Sequence, residues 1–121
     1  MTTPTQVEVD DATKAIFTGL ALGDGEVLAE ALELREAAQH RSGLDPRTFG
    51  LVKIAALIAL DAPPASYIWQ VPNALDGGAT PEDIVGVLKA IAPQVGGPRV
   101  MSAVPEIMVA LGLSLPPEAN I

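Results

Sequence analysis

The sequence predicts an all-α protein, a compact bundle of about six helices. Apolar residues recur at steps of three and four rather than two, which is the spacing of a helix face. A capping side chain followed by proline, a common helix start, occurs at Asp45-Pro46 and again at Thr80-Pro81. Glycine and proline pairs separate the apolar segments. With 121 residues, the chain is expected to form a single domain.

The N-terminal third is predicted to hold an arm and two helices. Residues 1–9 lack helical periodicity and are expected to be extended, on the surface or on a neighbouring subunit. Asp10 or Asp11 can cap a first helix that runs to about Leu22. A second helix is expected from about Gly25 to His40, with Asp24 as a candidate cap. Its apolar residues are Val27, Leu28, Leu32 and Leu34, and its solvated acidic ridge is Glu26, Glu30, Glu33 and Glu36.

The central stretch is predicted to form two paired helices. Pro46 opens the first, whose residues are apolar on every side through Leu60, with Lys53 as its only charge after Arg47. Pro63 and Pro64 end that helix and open the second, which runs to the two glycines at 77 and 78. Polar side chains line one face of this second helix, at Ser66, Gln70 and Asn73.

Two further helices complete the predicted bundle. One extends from Pro81 to about Ile91, and Pro93 with the glycines at 96 and 97 ends the element by about Val95. The last spans roughly Pro98–Leu111, with a kink or restart expected at Pro105. Residues 113–121 are expected to lie extended on the surface.

The composition excludes several classes of function. The net charge is −8 and the cations are scattered, so a nucleic acid backbone would be repelled. The chain has no cysteine, which removes disulfides, thiolate metal sites and thiol redox chemistry. His40 is the single histidine, so we expect no metal site. No Gly-rich phosphate loop follows a strand, and no cofactor is expected.

The apolar content indicates self-association rather than membrane insertion. Hydrophobic residues make up 49% of the chain and the mean hydropathy is +0.35, more than a domain of this size buries alone. The longest apolar run, from Ile54 to Leu60, is far short of the roughly 18 residues that span a bilayer. No secretory signal is visible, so a cytoplasmic homo-oligomer without a membrane partner is predicted.

Two segments resemble a known superfamily. The segments LDPRT at residues 44–48 and GATPEDI at residues 78–84 are similar to those of the carboxymuconolactone decarboxylase and alkylhydroperoxidase D superfamily. The likeness extends from Leu44 to about Leu111. It implies an all-α bundle that assembles as a homo-trimer or homo-hexamer, with its pocket between the paired helices.

The motif that carries peroxidase chemistry in this superfamily is missing. The resemblance places the two cysteines of Cys-x-x-Cys-x-x-x-His at Pro63 and Ser66, its histidine at Gln70 and the relay glutamate at Gly50. Decarboxylase-type members lack the cysteine pair and retain the histidine. Thiol peroxidase activity is therefore excluded, and an amide at position 70 cannot act as a general acid or base. Gln70 can still hydrogen-bond a carbonyl or carboxylate.

The paired helices supply the candidate site residues. The catalytic candidates are Lys53, Tyr67 and Gln70, and the predicted substrate-binding residues are Lys53, Ser66, Tyr67, Trp69, Gln70 and Asn73. The competing interpretation is that the polar stripe is satisfied by solvent or at a subunit contact. Lys53 could likewise extend to water or pair with Asp61 or Glu33 instead of a substrate. His40, at a helix end, is interpreted as a structural cation.

Two functions follow from these observations. The first is a carboxymuconolactone decarboxylase-like protein with a degenerate or repurposed pocket, which binds or transforms a small organic acid or lactone without thiol redox chemistry. If it is an enzyme, the reaction is of the lyase or isomerase type, assisted by hydrogen bonds and positive charge. The alternative is a non-catalytic oligomer that uses the same scaffold for binding or structure.

Overall fold

Six helices make up the described part of the chain. The computed structural model describes residues 7–22 and 29–115, and the side chains of all of these except residues 29–32. The helices are α1 (Asp11–Ala21), α2 (Ala29–Ser42), α3 (Pro46–Leu60), α4 (Pro64–Asp76), α5 (Pro81–Val95) and α6 (Gly97–Ala110). These ranges contain no strand, so the predicted all-α class is confirmed.

Helices α3 and α4 form an antiparallel pair whose ends are set by local residues. The Asp45 carboxylate accepts hydrogen bonds from the backbone N–H and the hydroxyl of Thr48, at 2.8 and 3.0 Å, and Pro46 follows as the first helical residue. Asp61 ends α3 in the left-handed conformation (φ 52°), and Pro64 begins α4 three residues later. The predicted proline turn between the two helices is therefore present.

The two helices approach so closely that glycine is required at their contact. A Cβ atom added to Gly50 would lie 2.8 Å from the Cα and 2.9 Å from the Cβ of Ala74. At the other end of the pair, a Cβ on Gly77 would lie 2.9 Å from the carbonyl oxygen of Pro46. The start of α3 thus packs directly on the end of α4, backbone against backbone.

The hydrophobic core lies between α3, α4, α5 and α6. Its buried residues are Ile54, Ile58, Tyr67, Val71, Ala74, Ala79, Ile84, Ala103 and Ile107. The first two belong to α3, which supplies the centre of the core. Burying such side chains is the main stabilising contribution to the fold.

Three prolines lie inside helices without ending them. α4 passes through Pro72, α5 continues through Pro93 to Val95, and α6 passes through Pro105. The predicted end of the fifth element by about Val95 agrees with α5, although the helical pattern was expected to run only to about Ile91, and the restart expected at Pro105 does not occur. Partly buried residues on both sides of Pro93 pack against the core, which holds the helix in place despite the lost backbone hydrogen bond.

Helix α2 differs from its predicted orientation. Leu34, expected on the apolar face, is 66% exposed. The half-buried side chains are Arg35, Ala38 and Gln39, which share one face by their spacing. Of the four glutamates in the predicted acidic ridge, the structure describes the side chains of Glu33 and Glu36, and both are exposed as predicted. The predicted cap Asp24, the helix start at Gly25, and most of the arm and tail lie outside the described residues.

Helix α1 buries none of its side chains. Asp10 is its cap, accepting a 2.8 Å hydrogen bond from the backbone N–H of Thr13. Ile16 and Phe17 are 51% and 65% exposed, and Leu20 is 37% exposed. Spaced at i, i+1 and i+4, these three residues form an apolar face that the described chain leaves uncovered.

A bidentate ion pair joins the starts of α3 and α5. The Arg47 guanidinium donates from Nη2 to Oδ1 of Asp83 at 2.7 Å and from Nε to Oδ2 at 3.0 Å. The same carboxylate accepts from the backbone N–H of Thr80, whose hydroxyl completes a capping box. Arg47, together with the Thr80 N–H, lowers the pKa of Asp83 to about 2.

This ion pair gives a testable pH dependence. Because the folded-state pKa of Asp83 is below the unfolded value of about 3.9, its stabilisation is present above that value and is lost as the pH falls toward 2. We expect Asp83→Asn to lower the thermal midpoint at pH 7 and to lower it by much less at pH 2. Calorimetry at both pH values measures this, with Glu82→Gln as the control. A variant deficit equally large at both pH values would contradict the assignment.

Candidate functional site

Lys53 occupies a half-buried position on α3 with no acidic partner. Its Nζ lies 5.1 Å from the centroid of the Phe49 ring, a cation–π arrangement. Among the described residues Lys53 forms no ion pair, because Asp61 instead faces Arg99 at 3.9 Å and Glu33 is exposed to solvent. The predicted pairing of Lys53 with either acid is therefore not found.

Gln70 and Lys53 lie at similar heights along the helix pair. Lys53 is three residues beyond Gly50 and Gln70 is four residues before Ala74, so both lie roughly 5 Å from that contact, toward the turn. At about 100° per residue, the side chains of Lys53 and Gln70 point to the same side of the helix pair. Val71 points away from that side and is buried in the core. The helix geometry thus places these two predicted residues on the same side of the helix pair.

The amide of Gln70 has an unused hydrogen-bonding atom. Its Oε1 is buried and has no hydrogen-bond partner. A buried carbonyl oxygen left unpaired costs about 1–3 kcal/mol, so this atom favours a ligand that brings a donor. Half-buried side chains of the same helix stand around it, at Ser66, Trp69 and Asn73.

Arg35 of α2 adds a second cation that the sequence analysis missed. Its Nε is buried and has no hydrogen-bond partner among the described residues. Burial lowers the pKa of Lys53, and the positive charge of Arg35 lowers it further, so the two cations influence each other. The signal in the sequence was a lone arginine between Glu33 and Glu36, which pattern reasoning assigns to a solvated helix face.

The flank that holds these residues is separate from the main core. Phe49 is only 9% exposed but is not a member of the core cluster, because it projects about 140° from Ile54 around the α3 axis. Arg35, Lys53 and Gln70, from three helices, are called the polar cluster below. The polar cluster offers two cations and one acceptor, which suits an anion that also carries a donor.

Tyr67 lies in the core rather than at an accessible pocket wall. Its side chain is 2% exposed and packs with Ile54 and Val71. Burial, with the charges of Asp61 and Glu106, raises the pKa of its hydroxyl, so the phenol stays protonated at neutral pH. Its main observed contribution is therefore to packing.

The positions implied by the superfamily resemblance fall on the same helix pair. Pro63 is the residue just before α4, while Ser66 and Gln70 are half-buried on it. Gly50, the implied glutamate position, faces Ala74 so closely that even a Cβ atom would clash. No glutamate side chain fits there while the two helices keep this distance.

Two other kinds of site were considered. The described residues contain no group of three or more histidine and acidic side chains that could hold a metal ion. A shallow surface groove lined by Val7, Glu8, Val9 and Lys14 includes none of the predicted site residues. No helix within the described ranges is long and apolar enough to cross a membrane, and the cytoplasmic location stays a prediction.

The fold and the polar cluster define an all-α protein with a site on paired helices and no thiol. A family model described as the carboxymuconolactone decarboxylase family matches residues 25–107. The chain therefore belongs to the carboxymuconolactone decarboxylase family. No curated protein and no solved structure matched the chain. The match covers α2 through α5 and most of α6, so it includes all three helices that form the polar cluster.

Proposed function

We propose that the protein binds, and as an enzyme transforms, a small organic acid or lactone at the polar cluster without thiol redox chemistry. The observation that carries this proposal is a pair of cations that influence each other, one with a buried Nε that has no partner among the described residues. Like charges in a partly desolvated place repel each other, and a bound anion removes that repulsion. An anionic ligand is thus favoured by the cluster itself.

The chemistry of the polar cluster narrows the ligand class. A carboxylate can accept hydrogen bonds from Arg35 and Lys53, each reinforced by charge. A hydroxyl group on the same molecule can donate to Oε1 of Gln70. The Phe49 ring offers an apolar surface beside the amine. Organic acids that carry a hydroxyl or an aromatic group are therefore favoured over neutral lactones.

Ligand binding is the direct test of this proposal. In a thermal-shift screen with aromatic and dicarboxylic acids, at least one acid is expected to raise the unfolding midpoint, since a ligand at 100 times its Kd stabilises by about 2.7 kcal/mol. Isothermal titration is then expected to show binding weakened about tenfold or more by Arg35→Gln, Lys53→Gln and Gln70→Ala, because a hydrogen bond to a charged group contributes about 1.5–3 kcal/mol.

The control variants each remove one positive charge at an exposed position outside the polar cluster. Arg41 and Lys89 are exposed, so Arg41→Gln and Lys89→Gln are expected to leave the Kd unchanged. Acids that bind equally well to all five variants would show that the polar cluster is not the binding site. A screen in which no acid raises the midpoint would contradict the proposal itself.

A second candidate function, a non-catalytic homo-oligomer, is favoured by the uncovered apolar face of α1. We propose that this face, formed by Ile16, Phe17 and Leu20, packs on another copy of the chain in a trimer or hexamer. A helix that buries nothing within its own chain has little reason to stay ordered in isolation. Self-association is compatible with either function and does not by itself exclude catalysis.

Self-association can be tested by substituting glutamate at either of two neighbouring residues. Phe17→Glu places a carboxylate on the apolar face of α1 and is expected to lower the molar mass in solution, measured by light scattering after size exclusion. Thr18→Glu adds the same charge on the opposite side of α1 and is expected to keep the wild-type mass. A monomeric wild-type protein, or an unchanged mass for Phe17→Glu, would overturn the proposed contact.

A further inference from the structure

We propose that Lys53 forms a reversible imine with the carbonyl carbon of a small oxo acid whose carboxylate is held by Arg35. This inference rests on the proposed function, because it uses the same polar cluster to bind the acid. It goes further by naming the nucleophile, the bond formed and the chemical class of the ligand.

The first argument concerns the amine. Lys53 is one of three lysines in the chain, and Lys14 and Lys89 are both exposed. Lys53 is half-buried on an apolar helix, over an aromatic ring and without an acid partner among the described residues. Burial and the charge of Arg35 both lower its pKa, which increases the fraction of neutral amine. Only the neutral amine has the free electron pair that attacks a carbonyl.

The second argument concerns the placement of the substrate. The buried Nε of Arg35 has no partner and can donate to one carboxylate oxygen. In a 2-oxo or 3-oxo acid the carbonyl carbon is one or two bonds away from that carboxylate carbon. The charge of Arg35 is felt at Lys53, so we place the carboxylate on Arg35 and its carbonyl group on the side of the amine.

The third argument concerns the unused acceptor. Oε1 of Gln70 can only accept a hydrogen bond, and neither an ammonium nor any other described group donates to it. Imine formation creates two donors at this place, the hydroxyl of the carbinolamine and the N–H of the iminium. Gln70 can therefore orient both intermediates by accepting their hydrogen bonds. The unreacted oxo acid, as a carboxylate with a carbonyl group, offers Gln70 no donor.

The reaction balances without an oxidant or a reductant. The nitrogen of Lys53 bonds to the carbonyl carbon, and the electron pair of the C=O bond moves to the oxygen, which takes the proton released by nitrogen. The hydroxyl of this carbinolamine takes a second proton from solvent and leaves as water, and the nitrogen keeps its remaining proton, which gives a protonated C=N bond. Water reverses the step. The iminium withdraws electrons from its neighbouring carbon, which agrees with lyase or isomerase chemistry rather than redox chemistry.

Reductive trapping tests this inference on the full chain. Purified protein is incubated with pyruvate and sodium cyanoborohydride, which reduces iminium ions to stable amines, and the modified residue is located by peptide mass mapping. We expect Lys53 to be modified at least about tenfold faster than Lys14 or Lys89. A tenfold difference in rate corresponds to a free-energy difference of about 1.4 kcal/mol. Lys53→Arg, which keeps the charge, is expected to abolish the fast modification.

The role of Arg35 is tested by comparing two carbonyl compounds. Arg35→Gln is expected to slow trapping of pyruvate about tenfold more than trapping of propanal, which has no carboxylate. An equal loss for both compounds would overturn the carboxylate-binding role. Equal modification of all three lysines would overturn the imine at Lys53.

Failure of this inference can be told apart from failure of the proposed function. Lactate carries the same carboxylate as pyruvate but has no carbonyl that can form an imine. Thermal stabilisation by lactate that is lost in Arg35→Gln, together with no trapped adduct, would refute the imine and leave acid binding intact. No stabilisation by either acid and no adduct would refute both.

Discussion

Gly50→Val is expected to lower the free energy of unfolding by about 3 kcal/mol, the upper part of the range for overpacked cores. A Cβ atom at this position already meets the backbone Cα of Ala74 at 2.8 Å, and valine adds two more methyl groups. Backbone atoms cannot move aside as a flexible side chain can, so α3 and α4 must separate. Urea denaturation of the purified variant measures the loss.

The control is the same substitution at a glycine without neighbours. Gly86 lies in the middle of α5, is exposed, and has no atom within 4 Å of the position that a Cβ would take. Gly86→Val is expected to change the stability by less than about 0.5 kcal/mol, because valine is a slightly better helix former than glycine. Similar stability changes for the two variants would show that the α3–α4 contact is not as close as described.

Ile54→Ala is expected to cost about 2–5 kcal/mol, which is the range for removing a fully buried aliphatic side chain. Ile54 has no exposed surface and lies at the centre of the core cluster, where three other helices surround it. The denaturant midpoint is expected to fall while the slope of the transition stays the same, since the folded state remains compact.

The matched control for the cavity is an isoleucine on the neighbouring helix. Ile68 on α4 is 53% exposed, and Ile68→Ala is expected to change the stability by less than about 0.5 kcal/mol. A loss as large as that of Ile54→Ala would mean that Ile68 is buried in the protein in solution, for example by another subunit. A small loss for Ile54→Ala would contradict the described core.

Helix starts could be predicted from the sequence because they depend on neighbouring residues. Asp45 and Thr80 each bond to an N–H group three residues away, and such local hydrogen bonds leave a readable pattern. The effect of prolines inside helices was predicted less well, since no restart occurs at Pro105. Whether Pro93 breaks a helix depends on how strongly the flanking residues pack against other helices, which local sequence does not reveal.

In the candidate site, too, some residues can be recognised from their neighbours in the sequence and others only from the folded structure. Lys53 and Gln70 were found from helix periodicity, since one is a lone charge on an apolar helix and the other belongs to a polar stripe. Arg35 was missed because nothing near it in the chain separates it from a solvated cation. The Arg47–Asp83 pair, 36 residues apart, was missed for the same reason. Both residues belong to the segments that carry the family resemblance, and the structure shows that these segments meet.

The contact between Gly50 and Ala74 also limits how peroxide chemistry could be engineered into this scaffold. Two cysteines and a histidine could be introduced at Pro63, Ser66 and Gln70, which are exposed or half-buried on one helix. The acid that completes the relay cannot be added in the same way, because Gly50→Glu would force the two helices apart. The acid position of such a relay is thus closed by backbone geometry, and an engineered peroxidase would have to draw its acid from a different helix.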